Sequence, residues 1–231
     1  MKLKSFGCSF VYGSDLKDCP HGVNTHNPPP SKFTWPALLA DRYGLEYQCH
    51  ARPAASNLQI LETVLSGIDP LENDIYVVNW TWIERFGFLS ETASSGTHPW
   101  NPLGWSSILP NDSGPVAEIY YRHIHSQFRD KLETLMCIET AIHMLDLQGK
   151  KFLMTYTDDL IFETRWHTSP AITHLQKAVR PRLQTFEDHC LWDWVKLQGF
   201  DVSKKWHPLE AAHEAAADLM IPVIDTILHR A

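Results

Sequence analysis

Apolar and polar positions change their period several times along the chain, and each change predicts an element. Leu3 to Phe6 alternates as a short strand does and runs directly into Gly7-Cys8-Ser9. After a Pro-rich stretch from His26 to Pro30, Thr34-Trp35-Pro36 opens a helix. Leu38, Leu39 and Tyr43 form its apolar stripe and Gly44 stops it. Leu45 to Cys49 alternates again as a second strand. Ser56-Asn57 are N-capping residue types ahead of Leu58, Leu61, Val64, Leu65 and Ile68, which fall at helical spacing. Asp74 precedes Ile75-Tyr76-Val77-Val78, an unbroken apolar run of the kind found in a strand buried on both faces.

From Phe86 to about Pro115 the periodicity disappears, which predicts a long loop over the sheet in the region 86–115. Tyr120, Ile124, Phe128, Leu132, Leu135, Ile142 and Leu145 then predict one long amphipathic helix ending at Gly149. Phe152 to Tyr156 is the next strand, followed by Asp158-Asp159. Residues 170–195 read as mostly helical with Pro181 as a break, and Pro208 begins a final helix that Pro222 is expected to kink or split. The order of elements predicts an α/β fold: a doubly wound, mostly parallel sheet between helical layers, in a single domain over 1–231.

Composition narrows the partners. With 44% hydrophobic residues the chain is too apolar for disorder, yet no apolar run approaches the ~18 residues of a membrane span. The formal charge of 20 − 27 = −7 argues against nucleic acid or an anionic membrane as partner. Five scattered cysteines without a C-x-x-C pair suit neither a disulfide framework nor a zinc ribbon, and no metal or cofactor is expected. The first residues lack the pattern of a signal peptide, so a cytoplasmic location is expected, although a phage protein or leaderless export would look the same. Oligomeric state is not legible.

Two segments carry the chemistry. Gly7-Cys8-Ser9-Phe10-Val11-Tyr12-Gly13 follows the first strand, and ligands of open α/β sheets bind beyond the carboxyl ends of strands. Ser9 therefore sits where a nucleophile belongs. Near the other end, Pro208 at a helix start leaves His207 displayed just before it, suited to take a proton from a hydroxyl. His213 reads as helix surface or a supporting residue, and His123-x-His125 as a helix surface. Asp158-Asp159 read as a solvated turn, with a cation site or a loop anchor as the alternatives. Trp80, Trp82, Trp100 and Trp105 suggest either core or a wall for a sugar or acyl group.

Taken together, Gly7-x-Ser9-x-x-x-Gly13 and His207-Pro208 resemble the first and last conserved blocks of the SGNH (GDSL-type) hydrolases. Ala54-Ala55-Ser56-Asn57 is similar to the second block, and Asn79-Trp80-Thr81-Trp82 with Arg85 to the third. The resemblance implies a flavodoxin-like three-layer α/β/α sandwich and hydrolysis of a small acyl ester, an O-acetyl group on a carbohydrate among the candidates, through an acyl-enzyme on Ser9. It implies His207 as base, and oxyanion or substrate contacts from Ala55, Ser56, Asn57, Asn79, Thr81 and Arg85. The family's acid, three residues before the histidine, falls on Lys204. Asp201 reaching round, a main-chain carbonyl in its place, or an inactive site are the three outcomes. The competing reading is a non-catalytic binding or structural module of the same fold, for instance in a phage particle.

Overall fold

The computed structural model describes residues 1–20, 29–89 and 104–229, and every structural statement below concerns these. Its strands are β1 (Lys2–Phe6), β2 (Glu46–Cys49), β3 (Ile75–Trp80), β4 (Phe86–Leu89), β5 (Trp105–Ile108) and β6 (Lys151–Tyr156). Four of them form one parallel sheet in the order β2-β1-β3-β6. The apolar run of β3 is explained by its place: flanked by β1 and β6, every residue from Ile75 to Trp80 is buried.

Helices α1 (Ser9–Tyr12), α2 (Trp35–Arg42), α3 (Asn57–Ser66), α4 (Pro115–His123), α5 (Gln127–Leu147), α6 (Pro170–Val179), α7 (Leu191–Leu197) and α8 (Glu210–His229) complete the described elements. The chain steps from β1 outward to β2 and then back past β1 to β3. With right-handed crossovers this sends α2 and α3 to opposite faces. Accordingly α2 packs with α8, and α3 with α5, which in turn meets α6. The three-layer α/β/α order is thus present. Strand connections reverse direction beside β1, and the crevice beyond its carboxyl end is where such a sheet receives a ligand.

Three expectations change. The region 86–115 is not simply loop, because β4 and β5 pair antiparallel with Phe86 opposite Ile108 and Leu89 opposite Trp105. This pair sits directly on the start of α3: a Cβ built on Gly87 would lie 2.0 Å from Ser56 Oγ. The single helix expected from Tyr120 to Gly149 is two, α4 and α5. Ser126 Oγ accepts from Arg129 N and caps the second, while His125 Nε2 lies 2.9 Å from Asp130 Oδ2 in the joint rather than on a helix surface. Finally, α8 runs through Pro222 as one unsplit helix.

The sheet ends at β6, whose outer side gains only a bridge from Met154 to Leu183. A groove of about 820 Å³ lies along that edge, lined by Lys151, Phe152, Arg182, Pro222 and Val223. Its lining comes from the amino-terminal part of β6, whereas the site described next lies beyond the carboxyl ends of the strands.

Candidate active site

Ser9 is the first residue of the one-turn helix α1, immediately beyond β1, and is only 5% exposed. Two glycines make this turn feasible. A Cβ on Gly7 would come within 2.7 Å of Val11 Cγ2 and 3.0 Å of the Asn79 carbonyl oxygen. Gly13 closes the helix in the left-handed region at φ 82°, its N–H donating to the Ser9 carbonyl. As the first helical residue, Ser9 has a backbone N–H without an intrahelical acceptor.

His207 is carried by a tight turn that begins at Ser203. Trp206 N–H donates to the Ser203 carbonyl at 3.0 Å, Ser203 N–H donates to the His207 carbonyl at 2.8 Å, and Val202 bridges to Pro208. The imidazole is fixed from the other end of the chain: Nδ1 donates to Asp15 Oδ2 at 2.7 Å, with both side chains 14% exposed. Ser203 Oγ donates to the same carboxylate oxygen at 2.6 Å and accepts the His207 N–H at 3.2 Å. Asp15 follows α1 with a left-handed φ of 72°, and its N–H donates to the Cys19 carbonyl at 3.0 Å. Two residues on, Lys17 N–H donates to Glu210 Oε1 at 2.8 Å, tying the same loop to the first turn of α8.

This corrects the expectation for the carboxylate. Asp201 is exposed, and its main-chain carbonyl accepts the Leu209 N–H instead. Among the described residues, the partner of Nδ1 is Asp15, and neither Asp201 nor a main-chain carbonyl takes that place. Phe10, adjacent to Ser9 in sequence, meets the imidazole edge-on with ring centroids 5.9 Å apart, so the first turn and the last one do converge. No hydrogen bond joins Ser9 Oγ to His207 among the described residues. Catalytic hydrogen bonds are commonly long before substrate arrives.

The second and third blocks largely lock one another. Asn57 Nδ2 donates to the Thr81 carbonyl and to Thr134 Oγ1, while its Oδ1 accepts the Thr81 N–H. Asn79 Nδ2 donates to Thr157 Oγ1 and the Trp80 carbonyl, and its Oδ1 accepts from Thr155. Ser56 Oγ caps α3 by accepting from Gln59 N–H. The Ala55 N–H donates to the Arg52 carbonyl, so it too is already engaged. Arg85 turns inward, Nη1 donating to the Ala55 carbonyl at 3.4 Å. Two groups differ. Thr81 Oγ1 is buried with no partner among the described residues, and Ala54 adopts a left-handed φ of 63°.

Other polar residues read differently in three dimensions. His213 is not on a surface: it is 2% exposed, and its Nδ1 accepts the Trp35 N–H at the start of α2 at 3.3 Å. Burial holds its pKa down to about 4, so the ring is neutral. Asp158 is buried rather than solvated. It accepts N–H bonds from Ile83 and Leu160, tying the loop after β3, and burial pushes its pKa up to about 6. Trp80 lies in the core and Trp105 is buried in β5, while Trp100 falls outside the described residues. Trp82 meets Trp192 with centroids 6.0 Å apart. Among the described residues no three His, Cys, Asp or Glu side chains gather to hold a metal ion.

Sequence reasoning missed Asp15, Ser203 and Trp192. The one available signal was Lys204 at the position where the resemblance places an acid, which left Asp201, a main-chain carbonyl or no partner as the alternatives.

The fold is shared with esterases of known structure. A carbohydrate esterase whose active site is described as having divergent catalytic and non-catalytic binding functions superposes with TM-score 0.55 and 11% identity, covering 97% of this chain and 68% of that one. The psychrotrophic esterase EstA from Pseudoalteromonas sp. gives TM-score 0.53 and 10% identity over 99% of both chains. TesA gives TM-score 0.53 and 13% identity over 98% and 99%. No family model matches the sequence, and no curated protein does. Among the described residues no helix is long and apolar enough to cross a membrane.

Proposed function

We propose that the chain is a serine hydrolase of small acyl esters, with Ser9 as nucleophile, His207 as base and Asp15 as the carboxylate that orients the imidazole. The observation that carries this reading is the 2.7 Å bond between Asp15 and Nδ1 of an imidazole that touches Phe10, the residue after Ser9. A carboxylate on Nδ1 keeps the proton there and leaves Nε2 the basic nitrogen, and it stabilises the imidazolium that forms.

Ser9 Oγ attacks the ester carbonyl while its proton passes to His207 Nε2. The tetrahedral oxyanion collapses to an acyl-enzyme as the imidazolium returns that proton to the departing alcohol. Water, deprotonated by the same nitrogen, then cleaves the acyl-enzyme and restores Ser9. The Ser9 N–H, the Ala54 N–H and Thr81 Oγ1 are the donors left for the oxyanion once the engaged groups are set aside, and removing one such donor typically costs ~3–4 kcal/mol in barrier height.

The competing reading, a non-catalytic binding module, draws on the missing hydrogen bond between Ser9 and His207. One experiment separates them. A fluorophosphonate is expected to label Ser9, and Ser9→Ala is expected to abolish hydrolysis of p-nitrophenyl acetate. Equal hydrolysis by both proteins, or no labelling of the wild type, removes the enzymatic reading.

A further inference from the structure

The turn that carries His207 contains a residue whose conformation its own chemistry disfavours. Trp206 has a left-handed φ of 64° and is 68% exposed. The N–H bond from Trp206 to the Ser203 carbonyl marks it as the last residue of a four-residue turn, where a left-handed backbone is ordinarily supplied by glycine or asparagine. A large L side chain there is strained, because its Cβ crowds the following carbonyl oxygen. Burial does not offset this, since most of the indole is in water, and strain of this kind concentrates at functional sites.

Its surroundings indicate a use. The indole is 6.2 Å from Trp192, which is 6.0 Å from both Trp82 and Phe10, and Phe10 abuts His207. An aromatic series therefore runs outward from the imidazole and ends in an exposed indole. Beside it in the same turn stand Lys204 and Lys205, both exposed and without an ion pair among the described residues. A hydrocarbon chain laid there would remain largely hydrated and gain little. A pyranose ring can cover the indole with its C–H face, keep its hydroxyls in water and offer them to the two ammonium groups.

We propose that Trp206 is a specificity-determining platform for the sugar ring of an O-acylated carbohydrate, placing the ester next to Ser9 and His207. This rests on the hydrolase reading for its catalytic consequence but not for its binding consequence, and the two are tested apart.

For catalysis, kcat/KM is measured on peracetylated xylose, glucose and galactose, on p-nitrophenyl acetate and on a short-chain triacylglycerol, for wild type, Trp206→Gly and Trp206→Tyr. Trp206→Gly is expected to lower the ratio of sugar-ester to p-nitrophenyl acetate kcat/KM at least tenfold, mainly through KM. Trp206→Tyr is expected to restore most of it. For binding, calorimetry with xylo-oligosaccharides on the Ser9→Ala protein is expected to show millimolar or tighter affinity that Trp206→Gly abolishes. Equal losses on sugar and triacylglycerol, or no binding by Ser9→Ala, overturns the platform. Sugar binding by a protein that hydrolyses no ester leaves the platform standing and removes the hydrolase reading instead.

Discussion

The turn after β1 and the turn before α8 carry Ser9 and His207, the proposed nucleophile and base, and they are built in opposite ways. The first has Gly7 and Gly13 where the backbone around Ser9 needs close approach or a left-handed angle, and Ser9 is nearly sealed from solvent. The second is strained and open, with Trp206 left-handed and exposed. Between them lies Asp15, itself left-handed, belonging by sequence to the first turn and by hydrogen bonding to the second. The comparison suggests a division of labour. On the proposed reading, one turn holds the nucleophile and the other presents the base together with a recognition surface.

The sharpest way to break this picture, after removal of Ser9 itself, is Asp15→Asn. An amide cannot accept the Nδ1 proton as a carboxylate does, so kcat is expected to fall between about 10²- and 10⁴-fold while thermal stability changes little. Asp201→Asn is the companion measurement and is expected to stay within about twofold of wild type. Steady-state kinetics decides between them. A large loss at position 201 with none at 15 would return the acid to the expected place.

A smaller effect concerns the packing beneath the second turn. In the fold His213 has a pKa of about 4, against about 6.5 unfolded, because burial disfavours its charged form. The unfolded chain therefore takes up a proton first as pH falls. The stability held above pH 6.5 is lost progressively down to pH 4, on the order of 3 kcal/mol in all. Asp158, with its pKa raised to about 6 by burial, acts in the opposite sense and regains stability as it is protonated below that pH. His213→Gln keeps an acceptor for the Trp35 N–H and should remove the loss, so that urea midpoints between pH 6.5 and 4 decline less than in wild type. Identical declines would mean the ring is not held neutral.

The smallest expected effect is at Ala54, where glycine would relieve the left-handed strain at φ 63° but loosen the unfolded chain. Ala54→Gly is expected to raise stability by at most about 1 kcal/mol, read as a shift of a few degrees in melting temperature. A clear loss would show that the left-handed angle at Ala54 is not strained.

Much of this arrangement was legible in the sequence. The apolar runs located β1, β3 and β6, and Ser56 announced the start of α3. The turns that carry Ser9 and His207 were visible because their neighbours, glycine and proline, are what such turns require. What escaped has physical reasons. The bond from Asp15 to His207 spans 192 positions, and nothing in the local pattern around Asp15 encodes it. The amides of Asn57 and Asn79 look available on paper, but burial obliges them to satisfy backbone and threonine partners first. The break between α4 and α5 was hidden because Ile124 and Phe128 keep the helical spacing across it.

The bond between Asp15 and His207 also bears on when activity can arise during synthesis. A ribosome that has made the first 200 residues has already produced Ser9 and Asp15, yet the imidazole of His207 is still to be made. On the proposed mechanism, hydrolysis waits until the closing turn emerges and docks, and a product terminated before residue 207 lacks the base.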